Sequence, residues 1–221
     1  MVSLKACYLT KILSKPAISE SKVISRLYIK LSGGFMEAIH NIDFGILDFL
    51  QTLHNEVLNF IMSIFTHAGD NGYVWITFCI ILLCIPKTRK IGIYLAITLI
   101  VEVILNDGII KSIIARERPF LQRTGIDTII KQPSGYSFPS GHSASSFAAA
   151  TAIFLHNKRL GTGAYVLAAC IAFSRLYFYV HFPTDVIFGS LLGVLIGISI
   201  NKLLKFIEKK MPKKADENIQ K

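Results

Sequence analysis

The chain has 221 residues, of which 52% are hydrophobic and only 17% are charged. Ordinary soluble domains carry charge on about a quarter of their residues, so this composition excludes such a domain and predicts an integral membrane protein. The net charge of +10 is also typical of nucleic-acid-binding proteins. Basic cytoplasmic loops of a membrane protein give the same total, however, and we expect no nucleic-acid partner.

Residues 1–41 form a basic, polar segment that is rich in serine. We expect a disordered cytoplasmic tail there, because its first 35 residues lack the apolar run of a signal peptide. Gly33-Gly34-Phe35 stands directly before Met36, and glycine codons rich in G could be a translated ribosome-binding site. In that alternative Met36 is the true start and residues 1–35 are not translated.

Six apolar runs follow, and each is near the roughly 17–25 residues that cross about 30 Å of hydrocarbon. They are residues 42–66, 72–86, 91–112, 139–156, 160–180 and 183–205. The expected fold is all-α, an integral membrane six-helix bundle over residues 42–205, with a Lys-rich cytoplasmic tail at 206–221. Polar residues from Asp48 to Asn59 interrupt the first run, so an amphipathic interfacial helix leading into a shorter insertion is an alternative there.

The distribution of Lys and Arg predicts the orientation of these spans. Eighteen of the 24 residues fall on one side, and the positive-inside rule makes that side cytoplasmic. We therefore expect a multi-pass protein of the cell membrane with both termini in the cytoplasm. The other six lie on the extracytoplasmic side, and they are Lys111, Arg116, Arg118, Arg123, Lys131 and Arg175.

Three short blocks place chemically active residues at the outer ends of the spans. In chain order they are Lys111-x6-Arg118-Pro119, Pro139-Ser140-Gly141-His142 and Ser174-Arg175-x5-His181-x3-Asp185. Antiparallel helices with short connections would bring all three blocks to one extracytoplasmic face. Cations at a membrane face are costly unless they are paired or functional, and the nearby acids Asp107, Glu117 and Asp127 could neutralise only some of them.

The second block has the features of an anion site. Pro139 suits the first turn of a helix, so the backbone N–H groups that follow it are unpaired and favour negative charge. Gly141 allows a ligand to approach the backbone closely, and the Ser140 hydroxyl adds a donor. Arg118 and Arg175 have planar forks that match phosphate oxygens, and Lys111 adds a compact charge.

Position for position, the three blocks resemble the signature of the type 2 phosphatidic acid phosphatase superfamily. The resemblance implies that His181 attacks phosphorus to form a phosphohistidine and that His142 protonates the leaving oxygen. Asp185 would hydrogen-bond the other nitrogen of His181 and fix its tautomer. The cations would stabilise the transition state, with no metal and no other cofactor. Glu117 replaces the proline of the common Arg-Pro-Arg-Pro pattern, which bears on substrate preference.

Within that superfamily the chain most resembles bacterial undecaprenyl pyrophosphate phosphatases, which recycle the cell-wall lipid carrier. We therefore expect a membrane lipid phosphatase whose partner is a phosphorylated or diphosphorylated lipid. A phosphatidylglycerophosphate or phosphatidate phosphatase is the first alternative. A non-catalytic lipid-binding or transport protein is the alternative from another class, although such a protein would not need His142, His181 and Asp185 together.

Polar residues also interrupt the third run. Glu102 and Asn106 are one helical turn apart, and we expect them to bond each other or a neighbouring helix. Asp107 is four residues before Lys111, a spacing that favours an ion pair on one helix face.

Overall fold

The structure is a computed structural model that describes residues 20–126 and 128–210, with side chains from residue 33 onward. Within these ranges the regular structure is entirely helical, as predicted, and contains no β-strand. The helices are α1 (Glu20–Gln51), α2 (Glu56–Gly69), α3 (Tyr73–Cys84), α4 (Arg89–Val103), α5 (Lys111–Ile114), α6 (Pro119–Gln122), α7 (Gly141–Phe154), α8 (Lys158–Tyr177) and α9 (Pro183–Lys210). A 3₁₀ turn (Asp70–Gly72) joins α2 to α3, and a π-helix (Ile104–Ile110) joins α4 to α5.

The chain divides into two compact units, residues 1–42 and residues 43–221. In the first unit, α1 begins at Glu20, so residues 20–41 are helical where the sequence predicted a disordered tail. Residues 1–19 of that expected tail lie outside the described residues, as do Asp127 and residues 211–221 of the Lys-rich end.

The predicted first span, residues 42–66, is two helices and not one. The chain leaves α1 at Gln51 and enters α2 at Glu56. Asn55 accounts for the break, because its side-chain oxygen accepts a hydrogen bond from Leu58 N at 2.9 Å and so caps a new helix. The broken arrangement agrees with the two-part alternative for this run.

The other five runs each contain a helix of nearly the predicted extent. Three helical segments of the described part are long and apolar enough to cross a membrane, namely Arg89–Gln122, Lys158–Tyr177 and Pro183–Lys210. The helices α2, α3 and α7 have 14, 12 and 14 residues. At 1.5 Å per residue they are only about 18–21 Å long, which is less than the ~30 Å of a hydrocarbon core.

The helix α7 lies at the centre of residues 43–210 and packs against α4, α8 and α9. Its contact with α9 is close because Gly189, Gly193 and Gly197 follow one another at four-residue spacing on α9. A Cβ added to Gly193 would lie 2.2 Å from the carbonyl oxygen of Ala144, and one added to Gly189 would lie 2.6 Å from that of Ser140. Without side chains at these positions, the two helices meet backbone to backbone.

Close packing of α7 and α9 joins two of the predicted blocks at their helix N-termini. Ser140 N donates to the carbonyl oxygen of Asp185 at 3.1 Å. Trp75, which is fully buried, fixes the other side of α7 by donating its indole N–H to Ser146 Oγ at 2.9 Å. The fold therefore holds the start of α7 in place from two directions.

Candidate active site

A cavity of about 790 Å³ brings most of the predicted site residues together. Its polar end is lined by six of the eight predicted residues, namely Lys111, Arg118, Gly141, His142, Arg175 and His181. Its opposite wall is apolar and comes from α3, α4 and the π-helix, with Ile76, Ile80, Ala96, Leu99, Ile100, Val103 and Ile104. Ser140 and Asp185, the other two predicted residues, are fully buried near this polar end.

His181 lies in the connection between α8 and α9 and is 2% exposed. Arg118 Nη1 lies 3.1 Å from His181 Nε2. A guanidinium can only donate, so Nε2 accepts and the proton of the neutral ring is on Nδ1. Burial lowers the pKa of His181 well below its usual value, and the positive charges of Arg118, Arg175 and Lys111 lower it further. The imidazole is therefore neutral, and its Nε2 lone pair is directed to Arg118.

The predicted hydrogen bond between His181 and Asp185 is not formed. The Nδ1 nitrogen faces the Asp185 carboxylate, but the distance to Oδ2 is 3.6 Å, and Nδ1 has no hydrogen-bond partner among the described residues. The carboxylate is occupied by stronger donors. Oδ1 accepts from Arg116 Nη1 at 2.6 Å, and Oδ2 accepts from Phe182 N at 2.9 Å.

The half-buried Arg116 and the buried Asp43 form an ion pair that the sequence analysis missed. Arg116 Nη2 donates to Asp43 Oδ2 at 2.9 Å, while its Nη1 donates to Asp185. Asp43 also accepts from Thr184 N at 3.0 Å and from Thr184 Oγ1 at 2.6 Å. The Arg116 guanidinium lies 3.8 Å from the centroid of the Phe182 ring. Together these contacts fix the chain directly after His181, at the start of α9.

Arg118 is buried and held by backbone carbonyls. It donates to Gly135 O at 2.9 Å, to Val180 O at 3.0 Å and to Ser134 O at 3.2 Å. No carboxylate neutralises it directly among these contacts, so it retains its charge for an anion in the cavity.

The other two predicted cations enter the cavity from different helices. Arg175, in the last turn of α8, donates to Thr66 Oγ1, and its Nε has no partner among the described residues. Lys111 forms the predicted ion pair with Asp107, four residues earlier. The three cations therefore surround one volume, an arrangement that suits a multiply charged anion.

The N-terminus of α7 completes this end of the cavity. A Cβ on Gly141 would lie 3.2 Å from Asp107 Oδ1 and 3.4 Å from Lys111 Nζ, so glycine allows that ion pair to lie against the helix. Ser140 acts as the helix cap, since its Oγ accepts from Ser143 N at 3.4 Å and from Ser143 Oγ at 3.0 Å. The structure places this hydroxyl in the cap rather than in the cavity lining.

His142 follows in the first turn of α7 and pairs with a second acid. Its Nε2 lies 3.0 Å from Asp70 Oδ1. The hydrogen bond from His142 lowers the pKa of Asp70 below its ordinary value. Asp70 is the third residue that sequence reasoning missed, and its position in the chain, 72 residues before His142, offered no spacing signal.

The π-helix explains how Asp107 and Lys111 reach the cavity. Such a helix is wider than an α-helix and is often found at functional sites. Asn106 Nδ2 donates to Asp107 Oδ1 at 3.4 Å. Asn106 also hydrogen-bonds the Glu102 carboxyl, as expected. Among the described residues, Glu102 Oε1 and Asn106 Oδ1 have no hydrogen-bond partner.

In the described part of the chain, no group of three or more His, Cys, Asp or Glu residues has the arrangement of a metal site. Glu117, which departs from the family pattern, is exposed and does not line the cavity. The groups that line the cavity's polar end are the cations, the histidines, the N-terminus of α7 and the Asp107 carboxylate that pairs with Lys111.

An all-helical protein whose cavity joins an apolar wall to three cations and two histidines has the make-up of an enzyme for amphiphilic phosphates. The comparisons with known proteins agree. The chain belongs to the PAP2 superfamily, whose family model matches residues 90–208. It is thus a phosphatase, a hydrolase of the class that the three blocks predicted.

Two curated relatives carry related names. An undecaprenyl-diphosphatase of Sulfolobus acidocaldarius is 35% identical over 77% of this chain and 82% of its own length. The undecaprenyl-diphosphatase BcrC of Bacillus subtilis is 30% identical over 65% of this chain and 74% of its own.

A solved structure has the same fold. The crystal structure of a transmembrane PAP2-type phosphatidylglycerolphosphate phosphatase from Bacillus subtilis superposes with a TM-score of 0.65 at 25% identity. The match covers 87% of this chain and 98% of that one. The helical arrangement around the cavity is therefore shared with a membrane phosphatase.

Proposed function

We propose that this protein is an integral membrane undecaprenyl-diphosphatase that recycles the cell-wall lipid carrier. One observation carries the proposal. A single cavity joins an apolar wall, formed by α3, α4 and the π-helix, to a polar end that holds three cations and both histidines. A substrate with a long apolar chain and a multiply charged head group matches both parts, and the names of the two curated relatives support this choice of lipid.

In the first step, the Nε2 lone pair of His181 attacks the terminal phosphorus. A bond forms between nitrogen and phosphorus while the bond from phosphorus to the bridging oxygen breaks. His142 gives a proton to that oxygen, and undecaprenyl phosphate leaves. Arg118 now bonds Nε2, so it must exchange this contact for a phosphate oxygen when the substrate binds.

In the second step, water attacks the phosphohistidine and His142 accepts its proton. The nitrogen–phosphorus bond breaks, its electron pair returns to Nε2, and inorganic phosphate is released. Lys111, Arg118 and Arg175 stabilise the charge of both transition states, and the α7 backbone at Gly141 adds donors. Asp185 acts at longer range, because its charge faces the Nδ1 proton of His181 across 3.6 Å. These steps require no metal and no other cofactor.

We further propose that α2, α3, α4, α7, α8 and α9 form a six-helix bundle in the cell membrane. Three of the required segments have the length and hydropathy of spans. The excess of Lys and Arg on the other side of the spans supports cytoplasmic termini and an extracytoplasmic site.

A phosphatidylglycerophosphate or phosphatidate phosphatase is the second candidate. The fold match to the Bacillus subtilis phosphatidylglycerolphosphate phosphatase favours it, and its substrates would use the same two histidines and three cations. The two candidates differ in the leaving group, which is a phosphate for the diphosphate lipid and an alkoxide for the monophosphate lipids.

The test is phosphate release by the full chain, purified in detergent, in the presence of EDTA. Undecaprenyl diphosphate, phosphatidylglycerophosphate and phosphatidate would be compared at equal mole fraction in the micelle. We expect the highest kcat/KM for undecaprenyl diphosphate, and loss of more than about a hundredfold in His181→Ala.

Arg123→Gln is the matched control, because this arginine is on the same side of the protein but pairs with Asp48 outside the cavity. Faster turnover of phosphatidylglycerophosphate would favour the second candidate. Activity that EDTA abolishes, or that survives in His181→Ala, would contradict the mechanism.

A further inference from the structure

The 3₁₀ turn between α2 and α3 presents a carboxylate to His142. The turn has the sequence Asp70-Asn71-Gly72, with left-handed backbone angles at Asn71 (φ 49°) and Gly72 (φ 69°). It places Asp70 Oδ1 3.0 Å from His142 Nε2. An ionised carboxylate can only accept, so Nε2 carries a proton directed to Asp70, and Nδ1 is the nitrogen left for the leaving oxygen.

The residue before this turn is fitted to the imidazole. A Cβ on Gly69 would lie 2.6 Å from His142 Cδ2 and 2.7 Å from Ile171 Cγ2. Only a residue without a side chain therefore allows the ring to lie against the end of α2. Close packing on one side and a hydrogen bond on the other define a single orientation of His142.

Asp70 also faces a second cavity. This cavity, of about 570 Å³, is lined by polar residues of the α2–α3 turn and of the segment 130–134, and His142 and Arg175 line both cavities. Asp70 lines only the second one. The carboxylate thus lies on the side of His142 that faces away from the apolar wall.

We propose that Asp70 is the positioning residue of the general acid: it holds the Nε2–H of His142, so that the protonated ring can give its Nδ1 proton to the leaving oxygen. The inference rests on the proposed function, in which His142 is that acid. The site then contains two histidine–carboxylate pairs, of which this one has the shorter contact, at 3.0 Å against 3.6 Å for His181 and Asp185.

Several charged groups act on His142 besides Asp70. They are Arg175 of α8 and His181 of the α8–α9 connection, and the Asp107–Lys111 pair lies against the neighbouring Gly141. The Thr66 backbone is a further hydrogen-bond partner of His142. Asp70 itself is near His67 and Arg175. Because all of these remain in an Asp70→Asn variant, a change in that variant's behaviour reports the carboxylate alone.

The test compares two lipids with the same diacylglycerol body, namely phosphatidate and diacylglycerol pyrophosphate. Phosphatidate loses an alkoxide and depends on a proton donor, whereas the pyrophosphate loses a stable phosphate and depends on it far less. We expect Asp70→Asn to lower kcat/KM for phosphatidate by roughly 10²-fold, the usual contribution of a general acid. This quantity reports the first step alone, whereas kcat also contains hydrolysis of the phosphohistidine, which is the same for both lipids. The loss for the pyrophosphate should be only a few-fold.

The matched control is Asp48→Asn. The Asp48 side chain is 42% exposed, as is that of Asp70. It accepts hydrogen bonds from Arg123 at 2.6 Å and from Tyr179 Oη at 2.7 Å and lines neither cavity. This variant should lower both rates equally or not at all.

Equal losses of kcat/KM for the two lipids in Asp70→Asn would overturn the proposal, because a merely structural defect does not distinguish leaving groups. An alkaline limb of kcat/KM for phosphatidate at the same pH in Asp70→Asn and wild type would also overturn it. We expect that limb to move to lower pH, since a protonated His142 loses the charge that stabilises it. A wild-type protein inactive on every lipid tested would instead contradict the proposed function.

Discussion

At the scale of single residues, the chemistry depends on how His181 is kept neutral. Two causes act in the same direction, because burial disfavours an imidazolium and three neighbouring cations repel it. Asp185 faces the ring and would oppose this effect, but Arg116 and the Phe182 N–H already engage its two oxygens. The balance favours a ring whose Nε2 lone pair is available for attack.

The lowered pKa of His181 predicts where kcat/KM falls on the acid side of its pH profile. A histidine with a lowered pKa stays unprotonated as the pH falls, so the acid limb of kcat/KM should lie well below pH 6.5. Lys111→Gln removes one of the repelling charges, and its acid limb should move to higher pH. Ionisation of the substrate is the same for both proteins, so the difference between their profiles reports the enzyme. An acid limb at or above pH 6.5 in the wild type would contradict this account of His181.

At the scale of helices, the contact between α7 and α9 joins the second and third blocks of the site. The four-residue spacing of Gly189, Gly193 and Gly197 brings the α9 backbone against that of α7. Two catalytic candidates follow directly from these helices, His142 in the first turn of α7 and Asp185 in the first turn of α9. Their separation is set by backbone contact, which cannot adjust as a flexible side chain can.

We therefore expect Gly193→Ala to be strongly destabilising. The new Cβ would lie 2.2 Å from Ala144 O and 2.8 Å from Ala148 N, so the helices must move apart, at a cost of about 1–3 kcal/mol or more. Gly163→Ala, on α8, is the matched control, because its Cβ would meet no atom within 4 Å. That change should be neutral or stabilising, since alanine favours a helix by roughly 0.5–1 kcal/mol.

Thermal unfolding in detergent can be followed by the fluorescence of Trp75, the only tryptophan of the chain, which contacts α7. A lower Tm for Gly193→Ala than for Gly163→Ala is the expected result. Equal Tm values would show that α7 and α9 can separate without cost.

At the scale of the whole molecule, the Lys and Arg residues on the two predicted sides of the membrane have different roles. Cations on the predicted cytoplasmic side are numerous, 18 of the 24, as the positive-inside rule describes. Of the six on the other side, Lys111, Arg118 and Arg175 line the cavity and Arg116 supports Asp185. The exceptions to the charge rule are thus mostly explained by the site.

Cysteine labelling tests this orientation in a variant without the four native cysteines. A cysteine at Gln132, in the segment between α6 and α7, should react with a membrane-impermeant maleimide in intact cells. A cysteine at Lys87, between α3 and α4, should react only after the membrane is permeabilised. The reverse pattern would contradict an extracytoplasmic site.

The sequence alone was sufficient to predict the site residues that lie in the three short blocks. Lys111, Arg118, His142, Arg175 and His181 all line one cavity, as their positions at helix ends predicted. The helical class and the approximate bounds of five of the six runs were also predicted. The length of an apolar run is a local property of the sequence, and it is enough to indicate a helix.

The partners of the catalytic candidates could not be predicted in this way. Asp43 and Asp70 meet Arg116 and His142 across 73 and 72 residues, and no residue pattern connects them. The break before Asn55 was predicted only as an alternative, because a single capping side chain decides where the new helix begins.

The π-helix at Ile104–Ile110 makes the site depend on the number of residues in this segment as well as on their identity. In a helix of 3.6 residues per turn, one residue corresponds to a rotation of about 100°. Deletion of one residue here would restore an α-helix and turn Lys111 away from the cavity, even if every functional side chain were kept. Related chains should therefore vary in sequence along this segment more readily than in length, and an alignment gap placed within it would signal a different geometry.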